Sequence, residues 1–382
     1  MRTGRRQARA EALLKGRLPA VLAGAAAVLT VAAAVAFALS VDSGRVALPP
    51  ASGPGGQPVD RFFASYVSAD GRVIRHDQGG DTVGEGQAYA MLMAVASGDR
   101  AGFESTWSWA RDQLRRDDGL LAHRWAEGRV VDADAASDAD LDAAHALILA
   151  ASRFDTPAYR RDGLEIASAI LEHETVRVGG QLVLVAGTWA QGRRPVPINP
   201  SYFSPRGFAV LAEASGDRRW MELRRSSSEL IDGMTATRPS LAPDWAQLGS
   251  DASVRPAAAP SDEAVGPRFG FDAVRVPLRW SWACDARERR LAARPWDFLR
   301  GQARAGIAPE YALDGKRLAP GTHPASTVAG AAAAHAAGER GAAERLLDRA
   351  AAEDRRSPSY YGAALVALGH LLLETDSLND GC

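Results

Sequence analysis

Three segments of the chain place carboxylates where they could do acid–base work. The first, Asp81-Thr82-Val83-Gly84-Glu85-Gly86-Gln87-Ala88-Tyr89, sets Glu85 between two glycines at the start of a predicted helix. Glycines there permit a close approach to the backbone. A helix N-terminus favours an ionised carboxylate, so Glu85 could serve as a proton donor only if burial or a second carboxylate raised its pKa. The simpler reading is that Glu85 neutralises the helix dipole. The second segment crowds Asp132, Asp134, Asp138, Asp140 and Asp142 ahead of Ala143-Ala144-His145. One or two of these can cap a helix. An EF-hand calcium loop is excluded, because neither its central glycine nor its terminal glutamate is in place. The third segment, Phe269-Gly270-Phe271-Asp272-Ala273-Val274-Arg275, puts an aspartate among aromatics with an arginine one turn on. An i,i+3 ion pair on a solvated face is the plain alternative. The neighbouring Trp280 and Trp282 speak against a solvated face.

Nine tryptophans accompany these carboxylates. Flat rings can stack on the apolar faces of sugars. Trp125, Trp189 and Trp245 lie in irregular stretches and are the expected platforms; the others are expected in the core. The chain shows no nucleophile elbow, HExxH, Walker loop or dinucleotide fingerprint. Carboxylates and aromatics are what remain, and hydrolysis of a glycosidic bond needs little else: one acid for the leaving oxygen and one base for a water.

The elements that must position these groups read as mostly helical. Helical segments are predicted near 60–67, 85–98, 101–115, 138–153, 157–172, 204–215, 217–233, 272–283, 287–303, 322–337, 340–353 and 358–374. One hairpin is expected, with strands 175–178 and 182–185 around Gly179-Gly180. A junction recurs as Ser97-Gly98-Asp99-Arg100, Ser215-Gly216-Asp217-Arg218 and Ala337-Gly338-Glu339-Arg340. Its glycine can end one helix in the left-handed conformation, and its acidic residue can cap the next. Such short turns join antiparallel neighbours. Twelve helices in six pairs would close into an all-α (α/α)6 barrel. The long irregular stretches 117–137, 186–203 and 235–271 count against an open solenoid and point to loops that carry function.

The N-terminus reads as an export signal. Basic residues in 1–17 precede an uncharged run over 18–41, long enough to span a bilayer and oriented to send the remainder outward. Ala36-Phe37-Ala38 fits a cleavage site, so the run is either a signal peptide or an anchor. Residues 42–58 read as a Gly/Pro/Ser linker, 59–375 as the catalytic domain and 376–382 as a tail. The expected location is the periplasm or outside the cell, with membrane contact only through the N-terminal segment. A net charge of −1 over 382 residues gives no global field for nucleic acid. Two cysteines, Cys284 and Cys382, make neither a disulfide framework nor a zinc site.

Ala136-Ser137-Asp138-Ala139-Asp140-Leu141-Asp142-Ala143-Ala144, running on to Phe154, resembles the hallmark of glycoside hydrolase family 8. Ala143 replaces a larger apolar residue of that hallmark. Glu85-Gly86-Gln87-Ala88-Tyr89 is similar to the family's acid motif, with Gly84 and Ala90 in place of its Ser and Gly. Asn199-Pro200-Ser201-Tyr202 matches a stretch that shapes the family's cleft. Phe271-Asp272-Ala273-Val274-Arg275-Val276 resembles its base motif. Pro243-Asp244-Trp245 and the export signal further resemble the endoglucanases that accompany bacterial cellulose synthase. His145 and His123 depart from the aromatic residues usual at their positions.

The resemblance implies an (α/α)6 barrel and an endo-acting, inverting hydrolase of β-1,4-linked glucan that needs no cofactor and no metal. Glu85 would be the general acid and Asp272 the general base. Asp138 would bind the distorted sugar and raise the Glu85 pKa. Tyr202 and Arg275 would orient sugar and base, with Asn199 and Asp140 among the substrate-binding residues. A cellulose synthase complex is the partner implied besides the polysaccharide. The alternatives are a chitosanase, xylanase or lichenase specificity, or an inactive glycan-binding scaffold.

Overall fold

The computed structural model describes residues 56–261 and 264–378. The basic segment 1–17, the apolar run 18–41, the linker up to residue 55 and Cys382 lie outside the described residues. Cys284 takes a hydrogen bond from Arg206 Nη1 at 3.2 Å and is not a free thiol.

The helices are α1 (Gly56–Tyr66), α2 (Gly84–Ser97), α3 (Arg100–Leu114), α4 (Ser137–Arg153), α5 (Pro157–His173), α6 (Pro205–Ser215) and α7 (Arg219–Met234). They continue with α8 (Arg275–Ser281), α9 (Ala286–Ala293), α10 (Trp296–Ala303), α11 (Pro324–Ala336), α12 (Arg340–Arg356) and α13 (Tyr360–Glu374). The helix expected over 287–303 is two helices. Pro295 has no N–H to offer and crowds the preceding turn, so the chain breaks before it and restarts at Trp296. The first helix starts at Gly56, inside the stretch expected to be linker.

Six helices form a closed inner ring in which each packs on the next: α2, α4, α6, α8, α11 and α13, with α13 returning to α2. Each pairs with an outer helix. The pairs are α2–α3, α4–α5, α6–α7, α8–α9, α11–α12, and α13 with the N-terminal α1. This is the (α/α)6 barrel, closed by joining the first helix to the last. Composition explains which helices go inside. Pro324-Ala-Ser-Thr-Val-Ala-Gly-Ala-Ala-Ala-Ala and Tyr360-Tyr-Gly-Ala-Ala-Leu-Val-Ala-Leu-Gly have no polar face, and nearly every residue is buried. Outer α12 keeps a charged face, with Ala343, Leu346, Leu347 and Ala350 turned inward. Leu147 on α4 is fully buried, and its truncation to alanine would cost about 2–5 kcal/mol.

The recurring glycine junctions end helices as expected: Gly98, Gly216 and Gly338 all have φ between 70° and 82°. The acidic residue behaves differently in each. Asp99 accepts from Gly102 N and caps α3. Asp217 accepts from Arg219 N at 2.9 Å, inside a turn that precedes α7. Glu339 has no capping hydrogen bond and pairs with Arg300 at 3.1 Å instead.

The strands are short. The expected hairpin is Thr175–Val178 paired with Gln181–Leu184, with positive φ at both Gly179 and Gly180, as a two-residue mirror-image turn requires. Its second strand begins one residue earlier than expected. The irregular stretches hold two further three-stranded sheets. Thr82–Val83 pairs with Arg124–Ala126, which pairs with Arg129–Asp132; and Val196–Ile198 pairs with Trp245–Leu248, which pairs with Val254–Ala257. They support residues at the mouth of the barrel. Among the described residues no helix is long and apolar enough to cross a membrane.

Candidate active site

The inner helices bring their N-terminal ends to one place. Glu85 opens α2, Asp138 opens α4, Tyr202 precedes α6, Asp272 lies in the turn before α8, Arg275 opens α8, and Tyr360 opens α13. Arg275 is their meeting point, with a side chain only 3% exposed. Its Nη1 donates to Glu85 Oε2, to Asp138 Oδ2 at 2.9 Å and to the Tyr89 hydroxyl at 3.3 Å. Its Nη2 donates to Asp272 Oδ1 at 2.6 Å and to Ser201 Oγ at 2.8 Å. Its guanidinium carbon lies 5.3 Å from the centroid of the Tyr202 ring. The i,i+3 pair with Asp272 exists, but its arginine is buried and its aspartate only partly exposed.

One guanidinium therefore separates Glu85 from Asp272. Their facing oxygens can be no more than roughly 7–8 Å apart, the width of that group plus two hydrogen bonds. Both carboxyls retain access to the groove, with 20% of the Glu85 side chain and 32% of the Asp272 side chain exposed. Glu85 has its pKa pushed up to about 7. Burial is the main cause, the nearby Asp138 and Asp272 add to it, and Arg275 opposes it. Desolvation thus outweighs the arginine.

The supports of Glu85 explain its flanking glycines. A Cβ on Gly86 would sit 2.8 Å from the Tyr360 hydroxyl, which donates to Glu85 Oε1 at 3.4 Å. A Cβ on Gly84 would press at 3.3 Å on Ala139 of α4. The glycines let a tyrosine and a neighbouring helix approach the acid. Gln87, fully buried, accepts from Val73 N at 2.6 Å and donates to the carbonyls of Gly71 and Thr106. It ties this helix start to the outer shell.

Asp138 is 2% exposed and accepts from Ala139 N at 2.9 Å as well as from Arg275. One turn further into the barrel, the same two helices repeat the pairing. Arg279 donates both terminal nitrogens to Asp142, at 2.7 and 2.6 Å. Two aspartates at i,i+4 on α4 meet two arginines at i,i+4 on α8. The spacing puts each pair on one helix face.

Two expected substrate-binding residues stand behind the groove. Asp140 is fully buried, its Oδ1 accepting from Leu121 N at 2.7 Å and its Oδ2 without a partner. Burial pushes its pKa well up, and the nearby Asp138 adds to this. A residue two positions from Asp138 and from Asp142 cannot share their face of α4, which is why the hallmark's second aspartate turns away. Asn199 is 1% exposed. Its Oδ1 accepts from Ser201 N at 3.0 Å and from Ser201 Oγ at 2.7 Å. It reaches the site only through Ser201, which in turn receives Arg275.

The three tryptophans expected as platforms are partly exposed. Trp125 has the Arg72 guanidinium 4.2 Å from its ring centroid and the edge of Trp109 at 5.5 Å. Trp189 has Arg193 over it at 4.9 Å. Trp245 packs against Trp189 and Tyr202, and its Nε1 donates to Asp272 Oδ2 at 3.0 Å. Tyr360 and Tyr361 were not singled out from the sequence. They lie at the far end of the chain in an apolar helix, and only the doubled tyrosine at the helix start signals them. Tyr361 donates to the Phe271 carbonyl at 2.5 Å, while the exposed Phe271 ring stands edge-on to His323.

His145, which departs from the aromatic residue usual at its position, is fully buried and stacks on Trp282 at 5.7 Å. Burial lowers its pKa to about 3, so the ring is neutral and belongs to the barrel wall.

The family model described as "Glycosyl hydrolases family 8" matches residues 28–375. A probable endoglucanase of Novacetimonas hansenii is 34% identical over 229 residues, which cover 58% of this chain. An endoglucanase of Cellulomonas uda is 31% identical over 242 residues, covering 62% of this chain. In both cases the match spans 65% of the relative's own length. Among solved structures, the endo-beta-1,4-glucanase CMCax from Acetobacter xylinum superposes with a TM-score of 0.72 at 28% identity, covering 84% of this chain and 97% of that one. Endoglucanase Cel10 from Klebsiella pneumoniae gives a TM-score of 0.72 at 27% identity, over 83% of this chain and 98% of that one.

Proposed function

The chain belongs to glycosyl hydrolase family 8, and from that premise we propose that it is an endo-acting β-1,4-glucanase that hydrolyses cellulose-like glucan with inversion. The observation that carries this reading is the Arg275 cluster. It assembles carboxylates from three inner helices around one guanidinium, and one of them, Glu85, stays protonated up to about pH 7.

Glu85 protonates the glycosidic oxygen as the bond breaks. Asp272 removes a proton from a water that attacks the anomeric carbon from the opposite face. An inverting pair needs carboxyls roughly 6.5–9.5 Å apart to admit that water, and the span of the guanidinium between Glu85 and Asp272 is compatible with this. Asp138 binds the sugar beside the scissile bond, and its charge helps keep Glu85 protonated. Tyr202 and Arg275 orient sugar and base. The mechanism draws on no group beyond these side chains.

The basic and apolar N-terminal sequence supports export to the periplasm or beyond, with residues 59–375 as the catalytic domain. Pro243-Asp244-Trp245 supports a place beside a cellulose-synthesising complex. The reading is tested by product-length analysis on carboxymethylcellulose, lichenan, xylan and chitosan. Carboxymethylcellulose should be cut internally and chitosan left intact; preferential cleavage of chitosan or xylan overturns the substrate assignment. Proton NMR of the first product should show the α-anomer, and a β-anomer overturns inversion.

A further inference from the structure

Asp272 and its backbone are held by three residues, and two of them are consecutive. Asp244 is 8% exposed, and its Oδ1 accepts from Gly270 N at 2.9 Å and from Ala273 N at 2.8 Å. These two amides bracket Phe271-Asp272, so a single carboxylate oxygen sets the backbone on both sides of the base. The approach is close enough to require the glycine: a Cβ on Gly270 would lie 2.6 Å from Asp244 Oδ2. The next residue, Trp245, donates its indole N–H to Asp272 Oδ2 at 3.0 Å. Arg275 takes the other carboxylate oxygen, so both oxygens have a fixed donor and the plane of the carboxylate is set.

The clamp itself is anchored. Asp244 N donates to the Arg268 carbonyl at 2.7 Å, and Arg268 Nε lies 3.4 Å from Asp244 Oδ2. Trp245 begins Trp245–Leu248, the central strand of its sheet, between Val196–Ile198 and Val254–Ala257. Its ring is wedged against Trp189 and Tyr202.

We propose that Asp244 and Trp245 act together as positioning residues for Asp272, Asp244 through the backbone and Trp245 through the carboxylate. This rests on the reading of Asp272 as the general base. It gives Trp245 a role other than the stacking platform its sequence context suggests, and the two roles separate kinetically. A platform binds ground state and transition state alike, so its loss raises KM. A positioning contact is needed when the proton moves, so its loss lowers kcat.

The test compares steady-state kinetics and thermal unfolding of Trp245→Phe, Asp244→Ala, Asp244→Asn and Asp272→Asn with the unmodified chain on one soluble cello-oligosaccharide. Phenylalanine keeps most of the apolar ring and removes only the N–H. Trp245→Phe should lower kcat about 10- to 100-fold with KM within about twofold. Asp244→Ala should lower kcat by a similar factor. Asp244→Asn, whose amide oxygen still accepts from both N–H groups, should recover most of that loss. A raised KM with unchanged kcat in Trp245→Phe overturns the inference for Trp245. Unchanged kcat in Asp244→Ala, or equal losses in the alanine and asparagine variants with unchanged melting temperature, overturns it for Asp244. If Asp244→Ala fails to fold, Gly270→Ala, which pushes Asp244 aside, takes its place and should lower kcat. Near-full activity in Asp272→Asn would instead remove the base assignment itself, an outcome distinct from all of these.

Discussion

Glu85 accepts a hydrogen bond from Arg275 and still holds its proton up to about pH 7. An arginine beside a carboxylate normally lowers its pKa. Burial at the junction of α2, α4 and α13 outweighs it, and two further carboxylates within the cluster push the same way. The arginine is therefore not a simple counter-ion. It also binds Asp138 and Asp272, and the acid is kept protonated by its surroundings.

This fixes the sign of two pH effects. The alkaline limb of kcat/KM should fall near pH 7 as Glu85 ionises. Its folded pKa lies above the unfolded value of 4.5. The stability it contributes is fully present below about pH 4.5 and is lost as pH rises through 7. Glu85→Gln should thus cost on the order of 10² to 10⁴ in kcat, yet melt at a higher temperature than the unmodified chain at pH 8 and not at pH 4. Near-full activity in Glu85→Gln would remove the acid assignment.

Arg275→Lys should retain little activity although it keeps the charge. A guanidinium can face Glu85 and Asp138 with one nitrogen and Asp272 with the other, whereas an ammonium is a single point. A loss of at least about 100-fold in kcat/KM is expected. Arg275→Ala should in addition destabilise the fold by roughly 3–5 kcal/mol, because the nearly inaccessible Asp138 is left without its partner. Urea unfolding monitored by circular dichroism reads the second effect; equal stability of the two variants would refute it.

How much of this was legible follows from where each group sits. Glu85, Asp138, Asp272 and Arg275 lie at or just before helix starts, and helix starts carry local signals: glycine, acidic residues, a run of small apolar residues. The helical pairing was legible from the recurring glycine junctions, which end one helix and turn the chain into the next. Tyr360 contacts Glu85 from 275 positions away, and no local pattern encodes that meeting. The strands of 2 to 4 residues in the stretches expected to be irregular are too short for alternation to show. The depth of Asp140 was hidden as well. In sequence it is one more aspartate of a cluster, and only the helix phase turns it away from Asp138.

That depth makes a prediction of its own. Asp140 and Glu174 are both fully buried, and burial pushes both pKa values well up; the nearby Asp140 raises that of Glu174 further. Neither oxygen of Glu174 has a partner, nor does Oδ2 of Asp140. Because burial raises both, each contributes stability that is present below its unfolded pKa and lost as pH rises through the folded one. Glu174→Gln and Asp140→Asn should therefore flatten the alkaline decline in melting temperature while leaving KM unchanged. A several-fold rise in KM for Asp140→Asn would return Asp140 to the substrate-binding residues.

Ser201 offers a narrower test of the cluster. Its Oγ donates to Asn199 and accepts from Arg275 Nη2. Ser201→Ala deletes one neutral acceptor on a charged donor, worth about 1.5–3 kcal/mol if Arg275 finds no substitute. The guanidinium would then be free to swing between Asp272 and Asp138, and kcat should fall by about tenfold or more with little change in melting temperature. Unchanged kcat would mean that Asn199 and Ser201 only build the turn before α6.

Trp125 and Trp189 share a feature besides their partial exposure. Each has an arginine over one face, Arg72 at 4.2 Å and Arg193 at 4.9 Å. Cation–π contact at a partly exposed site is worth about 0.5–1 kcal/mol, enough to hold a ring in one orientation. A ring so fixed on one side pays little entropy when a sugar stacks on the other. Their removal should act on binding rather than chemistry. Trp125→Ala and Trp189→Ala should raise KM for long cello-oligosaccharides about 5- to 30-fold, with a smaller effect on short ones that do not reach both rings. Trp107→Ala is the control. That ring is 1% exposed and donates to Asp162, so its loss should lower the melting temperature without a length-dependent change in KM. Unchanged KM for the longest oligosaccharides in the Trp125 and Trp189 variants would refute stacking at these positions, whereas a fall in kcat confined to Trp189→Ala would report its packing against Trp245 rather than a lost platform.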